Sequence, residues 1–391
     1  MALPSRPLVV TGQQIGAGWT PALSVAKALA AMALAQRLGG EAVYWLADED
    51  HDREEVARSC AWEGARLRRH RFRFEAPVGT AAGWLPWTAR HQAEARSLWG
   101  EVPEAAEPTL RSHALACGRP LWNRGLRPFV PTEAALREPL AEELARWRAL
   151  DLEAALRRQA ERLEADGSAL PLDPRVQAAW FSLDPATGLR RRLEPGEALP
   201  KGCWLSPGAA LRPLLQSRLL APTHAVLGPT ERVYWRLAEP LWERVGLVPP
   251  ALVPRPSVFV LPKGLTLAPG QLEALRAGWW EAFLPERGPL PSQALALAVD
   301  PSWGTDLGNR ARQELTRSRH RLLRLDRRLA RDRAAGLLGE DPERLRQRLF
   351  PFGKPQERVL PGLPWLRDLP LLERIHGALR EGAPLVMVEE T

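Results

Sequence analysis

Near the start of the chain, two short apolar runs flank an alanine-rich segment with helical spacing, and this order constrains the fold more than any other feature. Residues 7–10 are apolar but too few for a helix, and a glycine-rich stretch follows them. Thr20 and Pro21 form a typical helix start, and a glycine pair follows the last apolar residue of that segment. Residues 42–46 are apolar on both faces, as in a central strand of a parallel sheet. The sequence therefore predicts a strand–helix–strand unit.

A second strand and helix with the same order follow in the second half of the chain. Residues 223–227 predict a strand and residues 230–245 a helix, with a Gly-Pro turn between them. Val253 and residues 257–261 predict further strand segments. Together the two units indicate an α/β protein with a Rossmann-like, doubly wound parallel sheet.

The segment between the two units differs in texture and is interpreted as an insertion. It mixes short Trp- and Pro-containing stretches with a charged helical region over residues 132–166, broken at Pro139. The predicted domains are residues 1–65 as the first half of the core, 66–200 as a connecting insertion, 201–300 as the second half of the core, and 301–391 as a C-terminal helical and coiled-coil region.

Composition excludes several classes of protein. Hydrophobic residues make up 45% of the 391, which excludes wholesale disorder, and the three cysteines form no CxxC motif, so no disulfide framework or zinc ribbon is predicted. We find no signal peptide or apolar span and expect a cytoplasmic protein. The net charge of +8 favours nucleic acid, nucleotides or acidic small molecules as ligands, without choosing among them.

The glycine-rich stretch after the first strand is a candidate anion site. Gly12 and Gly16 precede a helix whose free N–H groups and positive dipole end suit a phosphate or carboxylate, and Gln13 and Gln14 add uncharged donors and acceptors. The spacing matches neither GxGxxG nor a P-loop, and a tight turn that uses glycine for its geometry is the simpler alternative.

Six carboxylates and one histidine follow the second strand, within residues 48–55. Like charges repel one another and are costly beside a core, so they are expected to bind something. Asp50 and Asp52 could hold Mg²⁺ or a substrate ammonium, or orient His51 as a general base. A solvated helix start is the alternative, and a zinc site of His51 with Cys60 is disfavoured because no further ligands can be named.

A third group of polar residues lies around the second unit. Gly228 ends its strand and Glu231 falls in the first turn of the next helix, with Tyr234 one turn further on, either in the site or in the core. The remaining candidates for binding a carboxylate or phosphate are Arg212, Gln216 and Arg255. Because the carboxyl ends of parallel strands meet at one edge, the glutamine and acidic segments are expected to face each other across one pocket.

A long basic helix is predicted over residues 307–335, followed by a helix over residues 342–349. Leu315, Leu322 and Leu329 are seven residues apart, a weak coiled-coil pattern. Ten arginines in this segment could instead follow the phosphates of RNA, but few aromatic residues are present for base stacking. We favour a helix that pairs with a partner helix over one that binds nucleic acid.

Taken in order, six motifs resemble the bacillithiol biosynthesis cysteine-adding enzymes, the BshC family. The motifs run co-linearly across almost the whole chain, together with a helix containing Pro21 and Lys27. They are VTGQQ at residues 10–14, YWLADEDHD at 44–52, LRPLLQ at 211–216, GPTERVYW at 228–235, VPRPS at 253–257 and LFPFGKPQER at 349–358.

The resemblance implies a Rossmann-type core interrupted by connecting peptides, similar in plan to class I aminoacyl-tRNA synthetases, and a C-terminal coiled coil that forms a homodimer. It implies a ligase that joins cysteine to the amino group of glucosaminyl malate, the last step of bacillithiol synthesis. We expect a short form of the family, without the helical leader before the first strand and with a shorter middle and coiled coil.

This reaction requires an activated cysteine carboxyl group, most simply an adenylate made from ATP with Mg²⁺. We expect Gly12, Gly16 and Gly228 to lie against the phosphates. Asp50, Asp52 or Glu231 is expected to hold the cysteine ammonium or Mg²⁺, His51 to take the proton of the attacking amine, and Arg212 and Arg255 to bind the malate carboxylates. The alternatives are a synthetase-like nucleotidyltransferase acting on RNA and a non-catalytic coiled-coil assembly protein.

Overall fold

The computed structural model describes residues 6–170, 173–175, 179–283 and 304–391. In these ranges the chain is a mixed α/β protein with two compact units, one formed by Met1–Phe259 with Glu357–Glu389, the other by Val260–Gln356. The strands are β1 (Leu8–Gln14), β2 (Glu41–Ala47), β3 (Arg58–Glu63), β4 (Arg66–Arg71), β5 (Leu126–Phe129), β6 (Trp180–Leu183), β7 (Arg190–Arg192), β8 (Trp204–Pro207), β9 (His224–Leu227), β10 (Ala251–Pro254), β11 (Ser257–Leu261) and β12 (Leu385–Glu389). The α-helices are α1 (Leu23–Leu38), α2 (Arg53–Ala57), α3 (Ala89–Trp99), α4 (Leu110–Cys117), α5 (Arg119–Trp122), α6 (Ala134–Arg137), α7 (Ala141–Ala149), α8 (Leu152–Ala165), α9 (Arg212–Leu220), α10 (Pro229–Leu237), α11 (Pro269–Ala277), α12 (Thr305–Leu338), α13 (Pro342–Leu349), α14 (Leu363–Arg367) and α15 (Leu369–Arg380).

The centre of the first unit is a parallel five-stranded sheet in the order β10-β9-β1-β2-β5. Strand β1 lies in the middle and pairs along its whole length with β2, from Leu8 opposite Glu41 to Gln14 opposite Ala47. The antiparallel hairpin β3-β4 and the three-stranded sheet β7-β6-β8 lie outside it. The parallel order brings the carboxyl ends of β1, β2 and β9 to one edge, where open α/β sheets bind their ligands.

Helices cover both faces of this sheet. Helix α1 packs against β1 and β2 on one face and against α15 on its other side. Most of its residues are therefore buried, and its many alanines allow close approach. On the opposite face a continuous apolar cluster joins the sheet to α7, α8 and α9, with members that include Val10, Val43, Trp45, Leu144, Leu156 and Leu214.

The first predicted unit is present, but two of its boundaries were wrong. Residues 11–14, predicted as a turn, continue β1, because their pairing with β2 overrides the turn preference of glycine. Helix α1 begins at Leu23 with Ala22 as its N-cap, instead of at Pro21 with Thr20 as the cap, and follows a 3₁₀ turn over Ala17–Trp19. The N–H of Ala22 at its N-cap donates to the carbonyl of Leu360, 2.7 Å away.

In the second predicted unit, too, the elements are present but one boundary was wrong. Its strand segments are confirmed as β9, β10 and β11. The predicted helix over residues 230–245 ends early, at Leu237, and a 3₁₀ turn over Glu239–Leu241 follows, because Pro240 cannot donate the N–H that the helix needs.

Strand β5 comes from the segment that sequence analysis placed in the insertion. It pairs with β2, with Trp45 opposite Phe129, and forms one edge of the central sheet. Residues 66–200 therefore supply a strand to the sheet as well as the α7–α8 helices against it. The predicted break at Pro139 is confirmed, since the 3₁₀ turn Glu138–Leu140 separates α6 from α7.

Both predicted C-terminal helices are present. Helix α12 runs for 34 residues and α13 spans Pro342–Leu349, as the sequence predicted. The predicted boundary between residues 300 and 301 lies outside the described residues. Among the helices that the structure describes, none combines the length and apolar character of a membrane span.

Candidate functional site

A cavity of about 370 Å³ opens at the carboxyl ends of β1, β2 and β9. This volume lies in the range of small-molecule binding sites, about 300–1,000 Å³. Its lining residues are Thr11, Gly12, Gln13, Gln14, Leu23, Trp45, Ala47, Asp50, Glu55, Ala209, Arg212, Pro213, Gln216, Leu227, Gly228, Pro229, Thr230, Glu231, Tyr234, Trp235, Arg255 and Arg358.

The glutamine and acidic segments face each other across this cavity. Nε2 of Gln14 donates to the carbonyl oxygen of Asp52 across 3.3 Å, and the amide of Gln13 acts on the carboxyl group of Glu55, whose pKa it helps to lower against the effect of burial. Desolvation at the cavity wall raises the pKa of Glu55, and the neighbouring carboxylates of Asp50 and Asp52 raise it further. The two strand ends thus form one polar wall.

Lys27 of α1 lies fully buried behind this wall. Its Nζ donates to Oε1 of Glu231 at 2.6 Å, to Oε1 of Gln13 at 3.2 Å and to the carbonyl oxygen of Gly12. Burial lowers the pKa of Lys27, and the Glu231 carboxylate opposes that shift. The ion pair joins residues 204 positions apart and ties β1 and α1 to α10.

The wall formed by β9 and β10 carries a second buried ion pair. Nη1 of Arg255 donates to Oε1 of Glu357 at 2.6 Å, and Oε2 of Glu357 accepts from the N–H of Val258 at 2.8 Å. Burial raises the pKa of Glu357, and Arg255 acts against that shift. Arg255 therefore reaches the cavity with its charge already paired, whereas the neighbouring Arg358 is exposed and has no ion pair with a described residue.

The acidic segment begins with two carboxylates that are inside the protein and paired with arginines. Asp48 is fully buried, forms an ion pair with Arg111 at 2.7 Å and accepts from the hydroxyl of Thr132 at 2.5 Å, and burial raises its pKa to about 6 in spite of both. Glu49, also fully buried, accepts from Arg137 at 3.0 Å and Ser206 at 2.9 Å.

Burial acts to raise the pKa of Glu49, but three arginines, Arg137, Arg212 and Arg190, hold that pKa below its ordinary value. The expectation that the clustered acids bind something is thus met by arginines of the chain itself, with no external cation required for these two carboxylates.

Asp50, the third carboxylate of this segment, reaches the cavity, as Glu55 does. Its Oδ2 accepts from Nη1 of Arg212 at 2.8 Å, and its Oδ1 accepts from the N–H of His51. Although burial acts in the opposite direction, Arg212 and Arg190 lower the pKa of Asp50, so it is ionised at neutral pH. Arg212 and Asp50 therefore present a fixed pair of opposite charges to a ligand.

His51 lies behind Asp50, beside a buried arginine. Its Nδ1 is 3.0 Å from Nη1 of Arg190, and its ring packs 5.3 Å from that of Phe181. An arginine can only donate, so Nδ1 is the acceptor and the neutral ring carries its proton on Nε2. Burial and the charge of Arg190 lower the pKa of His51.

The cavity brings together ten of the thirteen residues that sequence analysis singled out. These are Gly12, Gln13, Gln14, Asp50, Arg212, Gln216, Gly228, Glu231, Tyr234 and Arg255. Gly16, His51 and Asp52 are not among its lining residues. Gly16 packs against the backbone at Thr20, and Asp52 caps α2 by accepting from the N–H of Glu55 at 3.0 Å.

Sequence reasoning missed Lys27, Glu55 and Arg358. The available signal for Lys27 was its place in an otherwise apolar helix of a chain with only four lysines. Glu55 was one of six acids, and Arg358 one of 50 arginines, so neither stood out.

The described residues contain no cluster of three or more His, Cys, Asp or Glu side chains that could hold a metal ion by themselves. Cys60, considered above as a zinc ligand, is buried and donates from Sγ to the carbonyl of Val359 at 3.2 Å. Burial raises the pKa of its thiol to about 12, so it is not a thiolate at neutral pH.

No protein-family model matches the chain. The chain is similar to two curated proteins named "Putative cysteine ligase BshC", which come from two strains of Thermus thermophilus. It is 32% identical to each over 96% of its own length and 86% of theirs. A protein of the same name from Solibacter usitatus is 29% identical over 67% of this chain and 56% of its own length.

Proposed function

The chain belongs to the BshC family of cysteine ligases, and from that premise we propose that it joins the carboxyl group of L-cysteine to the amino group of glucosaminyl malate, the last step of bacillithiol biosynthesis. The observation that carries the proposal is a single cavity lined by both signs of charge. Arg212, Arg255 and Arg358 line it together with Asp50, Glu55 and Glu231. Both proposed substrates also carry both signs, since cysteine is a zwitterion and glucosaminyl malate has an amine and two carboxylates.

ATP is the proposed source of carboxyl activation, because a free carboxylate does not condense with an amine in water. The N-terminus of α10, where Gly228 and Thr230 line the cavity, and the exposed guanidinium of Arg358 fit phosphate oxygens. Mg²⁺ would be held mainly by the phosphates with one or two carboxylates, such as Asp50, which is how proteins commonly bind this ion.

The amine of the second substrate must lose a proton as the amide forms. Sequence analysis assigned this proton to His51, but Nδ1 of His51 already accepts from Arg190, and Nε2 carries a proton. Glu55 lines the cavity and has a raised pKa, so its carboxylate is the better proton acceptor in this arrangement. Asp50 and Glu231 remain the proposed partners of the cysteine ammonium or Mg²⁺, and Arg212 and Arg255 remain those of the malate carboxylates.

The finer features of the architecture are proposals as well. Helices on both faces of the parallel sheet support a Rossmann-like, doubly wound core. Exposed leucines on α12, among them Leu325 and Leu329 at 44% and 38% exposure, support a coiled-coil homodimer.

The test is direct. Purified protein is incubated with L-cysteine and glucosaminyl malate, with and without ATP and Mg²⁺, and the thiol product is detected by its mass. We expect product only when ATP is present. Absence of product with every nucleotide and metal tried would contradict the proposed ligase function. Product formed without ATP would contradict the proposed activation of the carboxyl group by ATP. Glu55→Gln, which keeps the side-chain volume and loses the base, is expected to lower kcat more than it raises KM.

A further inference from the structure

Lys27 is placed to organise the cavity without touching its contents. Its side chain is fully buried, and it is not one of the lining residues. Its three acceptors, Gly12, Gln13 and Glu231, all line the cavity. An ammonium has three N–H donors, and these three acceptors use all of them, so none remains for a ligand.

The contact with Lys27 also settles which way the amide of Gln13 points. Lys27 has donors only, so the oxygen of Gln13 must face it and the NH₂ group must point away. That NH₂ group has two N–H donors, one of which can serve the neighbouring carboxylate of Glu55. One further N–H of Gln13 is left at the cavity lining as a donor for an anionic oxygen.

Glu231 is held from two sides in a similar way. Its Oε1 accepts from Lys27 at 2.6 Å, and its Oε2 accepts from the N–H of Gly228 at 2.7 Å. With both oxygens held, this partly exposed carboxylate has one orientation relative to the start of α10. Lys27 thereby fixes one donor and one acceptor on the same lining.

We propose that Lys27 is the positioning residue of the cavity, and that through it Gln13 presents an N–H donor to an anionic oxygen of a bound ligand. The inference rests on the proposed function for its ligands, because both the carboxylate of cysteine and the phosphates of ATP carry such an oxygen. The donor at this position is one uncharged N–H group, so this contact selects a ligand by the position of its anionic oxygen more than by its total charge.

Two substitutions separate the parts of this proposal. Lys27→Met removes the anchor. Gln13→Glu keeps an oxygen facing Lys27 but replaces the donor by an acceptor, at nearly unchanged volume. Lys201→Met, an exposed lysine outside the cavity, is the matched control for the loss of one ammonium.

Binding is measured by calorimetry with four probes: L-cysteine, cysteamine, which lacks the carboxylate, ATP with Mg²⁺, and adenosine. Both Lys27→Met and Gln13→Glu are expected to lower the affinity for the probe that carries the anionic oxygen by about tenfold or more. This is the effect of one lost hydrogen bond to a charged group. The affinity for the matching probe without that oxygen should change by less than about threefold. Loss confined to L-cysteine places a carboxylate at Gln13, and loss confined to ATP places a phosphate there.

A merely structural role for Lys27 is tested by the double variant Lys27→Met/Glu231→Gln. Lys27→Met leaves the carboxylate of Glu231 without its ammonium partner, and Glu231→Gln removes that unpaired charge. The midpoint of thermal unfolding of the double variant should therefore recover toward that of the wild type. If affinity recovers with it, Lys27 only stabilises the fold and the proposal is overturned. Because Glu231 itself lines the cavity, the reference for affinity is the single variant Glu231→Gln. If the affinity of the double variant stays below that of Glu231→Gln while the midpoint recovers, Lys27 positions the site.

The ligase assay keeps the two proposals apart. If the wild type makes product and the Lys27→Met and Gln13→Glu variants bind the probes with unchanged affinity, the positioning role is overturned and the ligase function stands. Wild-type protein that binds L-cysteine or ATP but makes no product overturns the function and leaves the binding comparison decisive for Lys27. Wild-type protein that binds none of the four probes overturns both.

Discussion

Nη1 of Arg190 lies 3.0 Å from Nδ1 of His51 and is held there by the rest of its own contacts. Nε of Arg190 donates to Ser206 and Nη2 to the carbonyl of Pro207, and the guanidinium stacks 3.9 Å from the centre of the Phe181 ring. A donor fixed so firmly leaves His51 one tautomer, with its proton on Nε2.

We therefore expect His51 to be neutral between about pH 7 and 8. Its pKa is lowered from 6.5 by burial and by Arg190, so the unfolded chain takes up this proton first and His51 costs stability as the pH falls below about 6.5. Ring ¹⁵N shifts of His51 followed over this range should show an unprotonated Nδ1 and a protonated Nε2. A ring that gains charge near neutral pH contradicts this arrangement.

Asp48 predicts a pH dependence of the opposite sign. Burial raises its pKa from 3.8 to about 6, so the folded state binds this proton more tightly and the contribution of Asp48 to stability is lost as the pH rises from about 4 to 6. The loss approaches about 3 kcal/mol if the full shift is realised. Urea unfolding of the wild type and Asp48→Asn at several pH values isolates this contribution. The difference between the two proteins should change across that window, and a constant difference contradicts the shift.

The buried pair Arg137–Glu49 predicts a large asymmetry between its single and double variants. Both side chains are almost fully enclosed, 3.0 Å apart. Arg137→Met leaves a carboxylate without its main partner and should cost about 3–5 kcal/mol in the free energy of unfolding. Arg137→Met/Glu49→Gln should recover much of that loss. Arg157→Met, which removes the exposed member of a pair with the half-buried Glu153 on α8, is the control and should leave the unfolding midpoint almost unchanged.

The elements that sequence analysis found are those with a local signature. The apolar periods of α1, β2 and β9 are set by neighbours in sequence, and so is the proline that starts α13. Strand β5 was missed because its sequence, LRPF, contains an arginine and a proline, and proline argues against a strand. At the edge of a sheet a proline is tolerated, and edge position is a tertiary property that the local sequence does not carry.

The site divides in the same way. That the ends of β1 and β2 meet at one edge follows from the parallel order of the strands, and the sequence predicted it. Which arginine pairs with which acid does not follow, since Arg137 and Glu49 are 88 residues apart and the chain has 50 arginines to choose from. The acids of residues 48–50 therefore suggested an external cation, whereas Asp48 and Glu49 are paired with arginines of the chain itself. Arg111 and Arg137 come from the predicted insertion, and Arg212 comes from the second half of the core.

The exposed leucines of α12 predict its role in self-association. If they form the seam of a homodimer, Leu325→Glu/Leu329→Glu should place charges in that seam and yield a monomer. Sedimentation velocity of the wild type and the variant gives the two masses. Leu189→Glu, which changes a leucine of similar exposure in the other unit, is the control and should keep the wild-type mass. A wild-type monomer, or a variant that remains dimeric, contradicts the proposal.

Gly12 predicts how closely the strands of the site must approach. A Cβ placed there would lie 2.5 Å from the carbonyl oxygen of Trp45 and 2.8 Å from its Cβ, in the residue directly opposite on β2. Neither atom is at the end of a flexible side chain, so Gly12→Ala must push β1 away from β2, at a cost of about 1–3 kcal/mol. The same shift moves the carbonyl of Gly12 relative to Lys27, so ligand affinity should fall along with stability.

Gly377→Ala on α15, where an added Cβ meets nothing within 4 Å, is the matched control and should stabilise the protein by about 0.5–1 kcal/mol. Thermal unfolding and calorimetry with L-cysteine measure both effects, and a Gly12→Ala protein with unchanged midpoint and affinity contradicts the close approach.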